Sequence, residues 1–167
     1  MLPAIVLAAG AATRFGAPKQ QLLLPDVLER LRAAQAVGEI VVVTGAYEVE
    51  TDARTVVCAE WERGLGASLR CGLRALDADA AIVVLADGPG LSPLAVDRVV
   101  EVWAESDAEL VAATYDGNRG HPVVIARALW NKVPDEGARS LPALLVPCDD
   151  LGPPGDVDRP EDLERDS

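Results

Sequence analysis

The sequence predicts an α/β fold, a mostly parallel β-sheet flanked by helices and interrupted by one antiparallel excursion. Three observations carry that prediction. Apolar runs recur at Ala4–Ala8, Ile40–Thr44, Thr55–Cys58, Ala81–Leu85, Leu110–Ala113 and Pro122–Ala126, several of them too continuous for strands wetted on one face. Helical patterns fall between the runs, giving a βαβα alternation. Finally, half the residues are hydrophobic but only one is Phe, two are Tyr and three are Trp. The core is therefore built from Ala, Val and Leu, which suits close packing of helices on a sheet.

Taken in order, Ala4–Ala8 is a buried strand that runs into a glycine-containing loop. The first helix is expected over Asp26–Val37, with Val27, Leu28, Leu31 and Ala34 on one face. A second helix is expected over Gly66–Leu76. A third spans Ser92–Ala104, where Ser92-Pro93 supplies a hydroxyl cap and a proline at the first helical position. That start leaves a short loop, Ala86–Leu91, after the fourth strand. Gly117-Asn118-Arg119-Gly120 is turn-rich and separates two β-like runs, so Leu110–Ala126 reads as the antiparallel excursion. Asp149–Asp158, with Gly152-Pro153-Pro154-Gly155, reads as a loop, and Arg159–Arg165 as a short closing helix. At 167 residues the chain fits one domain, 1–167, able to bury roughly 70% of its unfolded surface without staples.

Charge and cysteines narrow the function. A net charge of −12 and a pI near 4.4 disfavour nucleic acid or an acidic membrane face as a partner, because either wants a basic footprint. Small anionic substrates remain open, since screening over about 8 Å leaves one or two positioned cations dominant inside a cleft. The three cysteines, Cys58, Cys71 and Cys148, lack metal-ligand spacing and are expected to be buried, reduced thiols. The start Met1–Val6 has no basic leader and no apolar run reaches 18 residues, so a cytoplasmic location without membrane insertion is expected.

The loop Leu7-Ala8-Ala9-Gly10-Ala11-Ala12-Thr13-Arg14-Phe15-Gly16-Ala17-Pro18-Lys19 lies at the carboxyl end of the first strand, where open α/β sheets bind ligands. Small side chains let backbone N–H groups approach phosphates, and Arg14 and Lys19 bring positive charge to the same place. The chain has 13 arginines but only two lysines, so a lysine after proline here is a less casual choice. A Walker loop fails at Ala17 and a dinucleotide fingerprint at Ala12. One ammonium about 4 Å from a phosphate is worth about 4 kcal/mol at an effective dielectric near 20.

The pattern L-A-A-G-x-x-x-R-F-G-x-P-K at Leu7–Lys19 resembles the signature of the MobA-like nucleotidyltransferases, which include molybdenum-cofactor cytidylyl- and guanylyltransferases. Further similar segments follow in order: Trp61–Leu69, Ala86–Pro89, Arg119–Val123, Glu136–Arg139 and Asp156–Leu163. The resemblance implies a three-layer α/β/α, Rossmann-like nucleotidyltransferase fold. It implies magnesium as cofactor, a nucleoside triphosphate and a phosphorylated small-molecule acceptor such as molybdopterin as substrates, and a molybdoenzyme or its maturation machinery as a conceivable partner. CTP is favoured over GTP because the loop reads Leu-Ala-Ala-Gly rather than Leu-Ala-Gly-Gly.

On these residues the nucleotide is expected at Leu7, Ala8, Ala9, Gly10, Arg14, Lys19, Gly66 and Ser68, with Arg14, Lys19 and Asp87 catalytic. Asp87 ends the fourth strand before Gly88-Pro89-Gly90; it is the first metal ligand, since magnesium takes a few carboxylate oxygens plus substrate phosphates. Asp156 is the second, because Asp158-Arg159-Pro160-Glu161 reads as a capping box. Asp158 and the single histidine, His121, are acceptor-side candidates. Ser68 is either a helix cap or a contact to base or ribose. Three features depart from the family: Gly88 stands where Gln is common, the segment between Lys19 and the first helix is cut to Gln20–Pro25, and the chain is compact. Other readings of the same residues are transfer to a different acceptor, a flavin- and NAD(P)H-linked reduction, or a non-catalytic nucleotide-binding regulator.

Overall fold

The structure is a computed structural model that describes residues 1–10 and 19–155. The chain forms β1 (Leu2–Ala8), α1 (Lys19–Ala33), β2 (Val37–Thr44), β3 (Arg54–Val57), α2 (Leu65–Arg74), β4 (Ala80–Leu85), α3 (Pro93–Glu105), β5 (Leu110–Tyr115), β6 (Asn118–Ala126) and β7 (Leu144–Pro147), with short 3₁₀ turns between. The seven strands lie in the order β3-β2-β1-β4-β6-β5-β7. β1, β2, β3 and β4 are mutually parallel, and β6 runs antiparallel to both β4 and β5. The expected mostly parallel sheet with an antiparallel excursion is thus the observed architecture.

Strand alternation builds the three layers. Ala4, Val6 and Ala8 of β1 join α1 (Leu24, Val27, Leu28, Leu31) and α3 (Ala95, Val96, Val99) in one core. Ile5 and Leu7 face the other way, into a core with Leu69 and Leu73 of α2, Ile125 and Trp130. Successive side chains of a strand point to opposite faces, so each central strand feeds both cores. All of these β1 residues are at most 5% exposed, the pattern of a strand covered on both sides.

Four expectations are corrected. α1 starts at Lys19 and ends at Ala33 rather than spanning Asp26–Val37, so Gln20–Pro25 is helical and Val37 begins β2. Pro25 lacks an N–H and costs a helical bond, but Leu23, Leu24, Val27, Leu28 and Leu31, spaced by three and four, are all buried and packing prevails over propensity. The strand β7, parallel to β5, was not expected; four residues with Leu144 and Leu145 exposed carry no clear periodicity. The hairpin turn is Asp116-Gly117, both at positive φ, one step before Gly117–Gly120; two left-handed residues give the turn whose twist matches the flanking strands. Last, Cys58 and Cys71 are joined in a disulfide, with Cα atoms 5.8 Å apart, and only Cys148 is a buried free thiol. The fold brings the end of β3 against α2, a proximity that a spacing of 13 residues does not disclose. The closing helix expected at Arg159–Arg165 lies outside the described residues.

Among the described residues no helix is long and apolar enough to cross a membrane.

Candidate functional site

The chain passes from β1 through α1 to β2 on one side of β1, then returns through α2 to β4 on the other. The first crossover helix and α2 pack on opposite faces. Between β1 and β4 the strand order reverses, and a crevice opens beyond their carboxyl ends. A cavity of about 510 Å³ sits there, lined by Leu7 of β1, Leu85 of β4, Gly88, Leu65 and Leu69 of α2, and His121 of β6. That volume lies within the range of about 300–1,000 Å³ usual for ligand clefts.

One wall is the loop after β4. The Ala86 N–H donates to the Leu7 carbonyl at 3.0 Å and Leu91 N–H to the Gly88 carbonyl at 3.3 Å, holding the Asp87 turn against β1. The segment Pro153-Pro154-Gly155 lies on this turn and lines the cavity with it. Gly90 N–H donates to the Pro154 carbonyl at 2.9 Å. A Cβ at Gly90 would sit 2.7 Å from that carbonyl oxygen, and one at Gly88 would sit 3.1 Å from Pro154 Cβ. At Gly88, where Gln is common in the family, a side chain would press on Pro154. Asp156, the expected second metal ligand, is bonded to Gly155 but lies outside the described residues, as do Arg14 and Asp158.

The facing wall is the segment Glu136–Arg139, pinned to the start of α2. Gly66 N–H donates to the Asp135 carbonyl at 2.7 Å, and a Cβ at Gly66 would fall 1.7 Å from the Pro134 oxygen. The Asp135 carboxylate pairs with Arg63 at 3.1 Å and with Arg70. Those guanidiniums, Arg70 first, hold its carboxyl below the usual carboxylate range. Arg119 of β6 donates to the carbonyls of Arg139 at 3.0 Å and Leu141 at 2.7 Å, tying hairpin to wall.

The expected site residues distribute as follows. Leu7 lines the cavity; Ala8 and Ala9 are buried at the end of β1, and Gly10 is exposed just beyond. Lys19 is the first residue of α1. Asp87 belongs to the turn after β4, between the cavity-lining Leu85 and Gly88, and His121 lines the cavity. Burial pushes the His121 imidazole down to about 4; the Asp87 charge opposes that shift and the Arg139 charge reinforces it. The ring is therefore neutral near pH 7, in the field of both groups. Tyr115 donates its hydroxyl to the His121 carbonyl at 2.7 Å.

Gly66 stands in the first turn of α2 as expected, but Ser68 does not cap the helix. The cap position of α2 is Gly64, and Ser68 lies one turn in, 2% exposed, so the capping alternative for Ser68 is set aside. Gly66 is occupied by its contact with residues 134–137; what α2 presents to the cavity is Leu65 and Leu69. Ser92 is the residue before α3 but its side chain makes no capping bond; its carbonyl accepts from Ala95 and Val96. Sequence reasoning missed Arg139, Tyr115 and the Pro153–Gly155 segment as cavity residues, because they reach the cleft only through long-range pairing.

Among the described residues no group of three or more His, Cys, Asp or Glu side chains gathers as a metal site. A magnesium-type ion needs less from protein, one or two carboxylates with substrate phosphates completing its shell, and Asp87, next to the cavity-lining Gly88, is a carboxylate of that kind.

The family model of the MobA-like NTP transferase domain matches residues 4–147. No curated protein matches the sequence. Among solved structures, Rv0371c from Mycobacterium tuberculosis is similar with 26% identity, a TM-score of 0.78, and 99% of this chain and 97% of that chain covered. A structure of Rv0371c in complex with manganese is similar with 22% identity and a TM-score of 0.73, covering 98% and 96%. A nucleotidyl transferase from Methanothermobacter thermautotroptrophicus shares the fold with 22% identity, a TM-score of 0.77, and coverage of 99% and 95%.

Proposed function

Because the chain belongs to the MobA-like NTP transferase family, its model matching residues 4–147, we propose that it transfers a nucleoside monophosphate from a nucleoside triphosphate to a phosphorylated small-molecule acceptor. The observation that supports this most is the cavity beyond the carboxyl ends of β1 and β4, lined by Leu7 at the end of β1 and by Leu85 and Gly88 on either side of the Ala86-Asp87 turn. An acceptor phosphate oxygen bonds to the α-phosphorus while the bond from that phosphorus to the bridging oxygen of the β-phosphate breaks, and pyrophosphate leaves.

Arg14 and Lys19 hold the triphosphate and oppose the charge that grows on it. Lys19 opens a helix of 15 residues, whose amino end adds a partial positive charge at the same edge. Asp87 and Asp156 hold the divalent ion. When bound, that ion neutralises phosphate charge and aligns the leaving group. The Pro153–Gly155 contact on the Asp87 turn brings the chain to within one peptide bond of Asp156, which supports the pairing. His121 is an acceptor-side contact, neutral and able to donate or accept a hydrogen bond. Catalysis is then positioning and electrostatics, without a covalent enzyme intermediate.

Magnesium, CTP and a molybdopterin-type acceptor are the finer part of the proposal. CTP is favoured by Leu7-Ala8-Ala9-Gly10, and a divalent ion by the manganese of the Rv0371c structure. The experiment is a thermal-shift screen of the four triphosphates with magnesium, followed by a pyrophosphate assay with molybdopterin. CTP is expected to give the largest shift. Tight nucleotide binding without pyrophosphate release from any acceptor would instead identify a regulator, and a yellow, flavin-bearing preparation a reductase.

A further inference from the structure

The wall opposite Asp87 carries a cation that the reaction above leaves unused. Most arginines among the described residues are committed: Arg32, Arg54, Arg63, Arg70, Arg98 and Arg127 to carboxylates, and Arg119 to the carbonyls of Arg139 and Leu141. Arg139 lines the cavity, and its guanidinium forms no ion pair or hydrogen bond with another described residue.

Its backbone, by contrast, is fixed. Arg119 holds its carbonyl from β6, Gly137 N–H donates to the Pro134 carbonyl at 3.0 Å, and Leu141 N–H to the Ala138 carbonyl at 3.0 Å. The chain as a whole carries a charge of −12, yet the charged residues lining this cavity are Arg119, Arg139 and Glu136. An uncommitted guanidinium on a braced segment, facing a cleft, has the planar donor fork that suits an oxyanion. His121 lies in the field of Arg139 and of Asp87, so both charges address the same interior.

We propose that Arg139 anchors a phosphomonoester or similar dianionic oxyanion of the acceptor, on the cavity wall formed by Glu136–Arg139. This rests on the nucleotidyl-transfer reading, in which the nucleotide occupies the β1 side. Arg139 is a binding and positioning residue, acting on acceptor affinity and on the line of attack.

The test uses the full chain and inorganic phosphate as probe, titrated calorimetrically into wild type, Arg139→Gln and Arg139→Lys. Each is measured alone and with saturating α,β-methylene-CTP and magnesium. Wild type is expected to bind phosphate in both states. Arg139→Gln should weaken that binding tenfold or more, Arg139→Lys should recover part of it, and nucleotide affinity should stay within twofold throughout. Equal phosphate affinity in wild type and Arg139→Gln would overturn the proposal, as would no phosphate binding by wild type or a parallel loss of nucleotide affinity. Failure of the nucleotide to bind wild type would strike the transfer reading instead, and the titration without nucleotide would still decide Arg139. Because Arg139 is exposed, both variants are expected to keep the melting temperature of wild type.

Discussion

Two of the residues that carry the proposed chemistry, Asp87 and Lys19, can each be tested separately. On the proposed reading Asp87→Ala removes a metal ligand and Lys19→Ala a phosphate cation; each substitution should abolish pyrophosphate release, a loss of at least 100-fold being the ordinary scale for removing one electrostatic contact to a transition state. Gly90→Ala tests the wall geometry. Its Cβ would stand 2.7 Å from the Pro154 carbonyl oxygen, so the Pro153–Gly155 segment must shift or the turn must yield. A cost of about 1–3 kcal/mol is expected, read as a lower melting temperature, together with weaker magnesium dependence of activity. At this scale the sequence was legible where motif and strand end coincide, as at Leu7 and Asp87. It was not legible at Arg139 or Gly66, whose surroundings depend on contacts between distant segments, Arg119 with Arg139 and Gly66 with residues 134–137.

Helices and strands were read from apolar period, and the reading failed where another force competed. Pro25 suggested a boundary, but the buried leucines on either side of it carry α1 through. The brace between α2 and the Glu136–Arg139 wall gives a pH prediction. Asp135 has its folded-state pKa lowered, mainly by Arg70 and then Arg63, so its contribution is fully present above the unfolded carboxylate value of about 3.9 and is lost as pH falls through the lower folded value. Asp135→Asn should therefore melt below wild type at pH 6 to 7, with the gap closing toward pH 3, as thermal melts across that range would record. The Cys58–Cys71 disulfide ties the end of β3 to α2 across 13 residues. Closing a loop of that size stabilises by about 3 kcal/mol in the chain-entropy account. Thiol titration of unreduced, denatured protein should find one free thiol, Cys148, and reductant should lower the melting temperature by several degrees. Three free thiols without reductant would contradict the bond.

The molecule as a whole is an α/β/α sandwich whose strand order reverses beside β1, and that topology determines where a ligand can sit before any side chain is considered. This much followed from the alternation of apolar runs and helical patterns. The antiparallel run at Leu110–Ala126 followed too, but the place of β6 between β4 and β5 did not, since strand order is a property of long-range pairing that local periodicity leaves open. It is β6 that puts His121 and Arg119 into the cavity, which explains why the acceptor wall was the less legible half of the site. The central claim concerns the two halves acting together, and one assay addresses it directly: pyrophosphate release from CTP and magnesium with molybdopterin present, in wild type and Asp87→Ala. The account predicts release that requires both the acceptor and the metal and disappears in the variant; undiminished release by Asp87→Ala, or none by wild type with any of the four triphosphates, would contradict it.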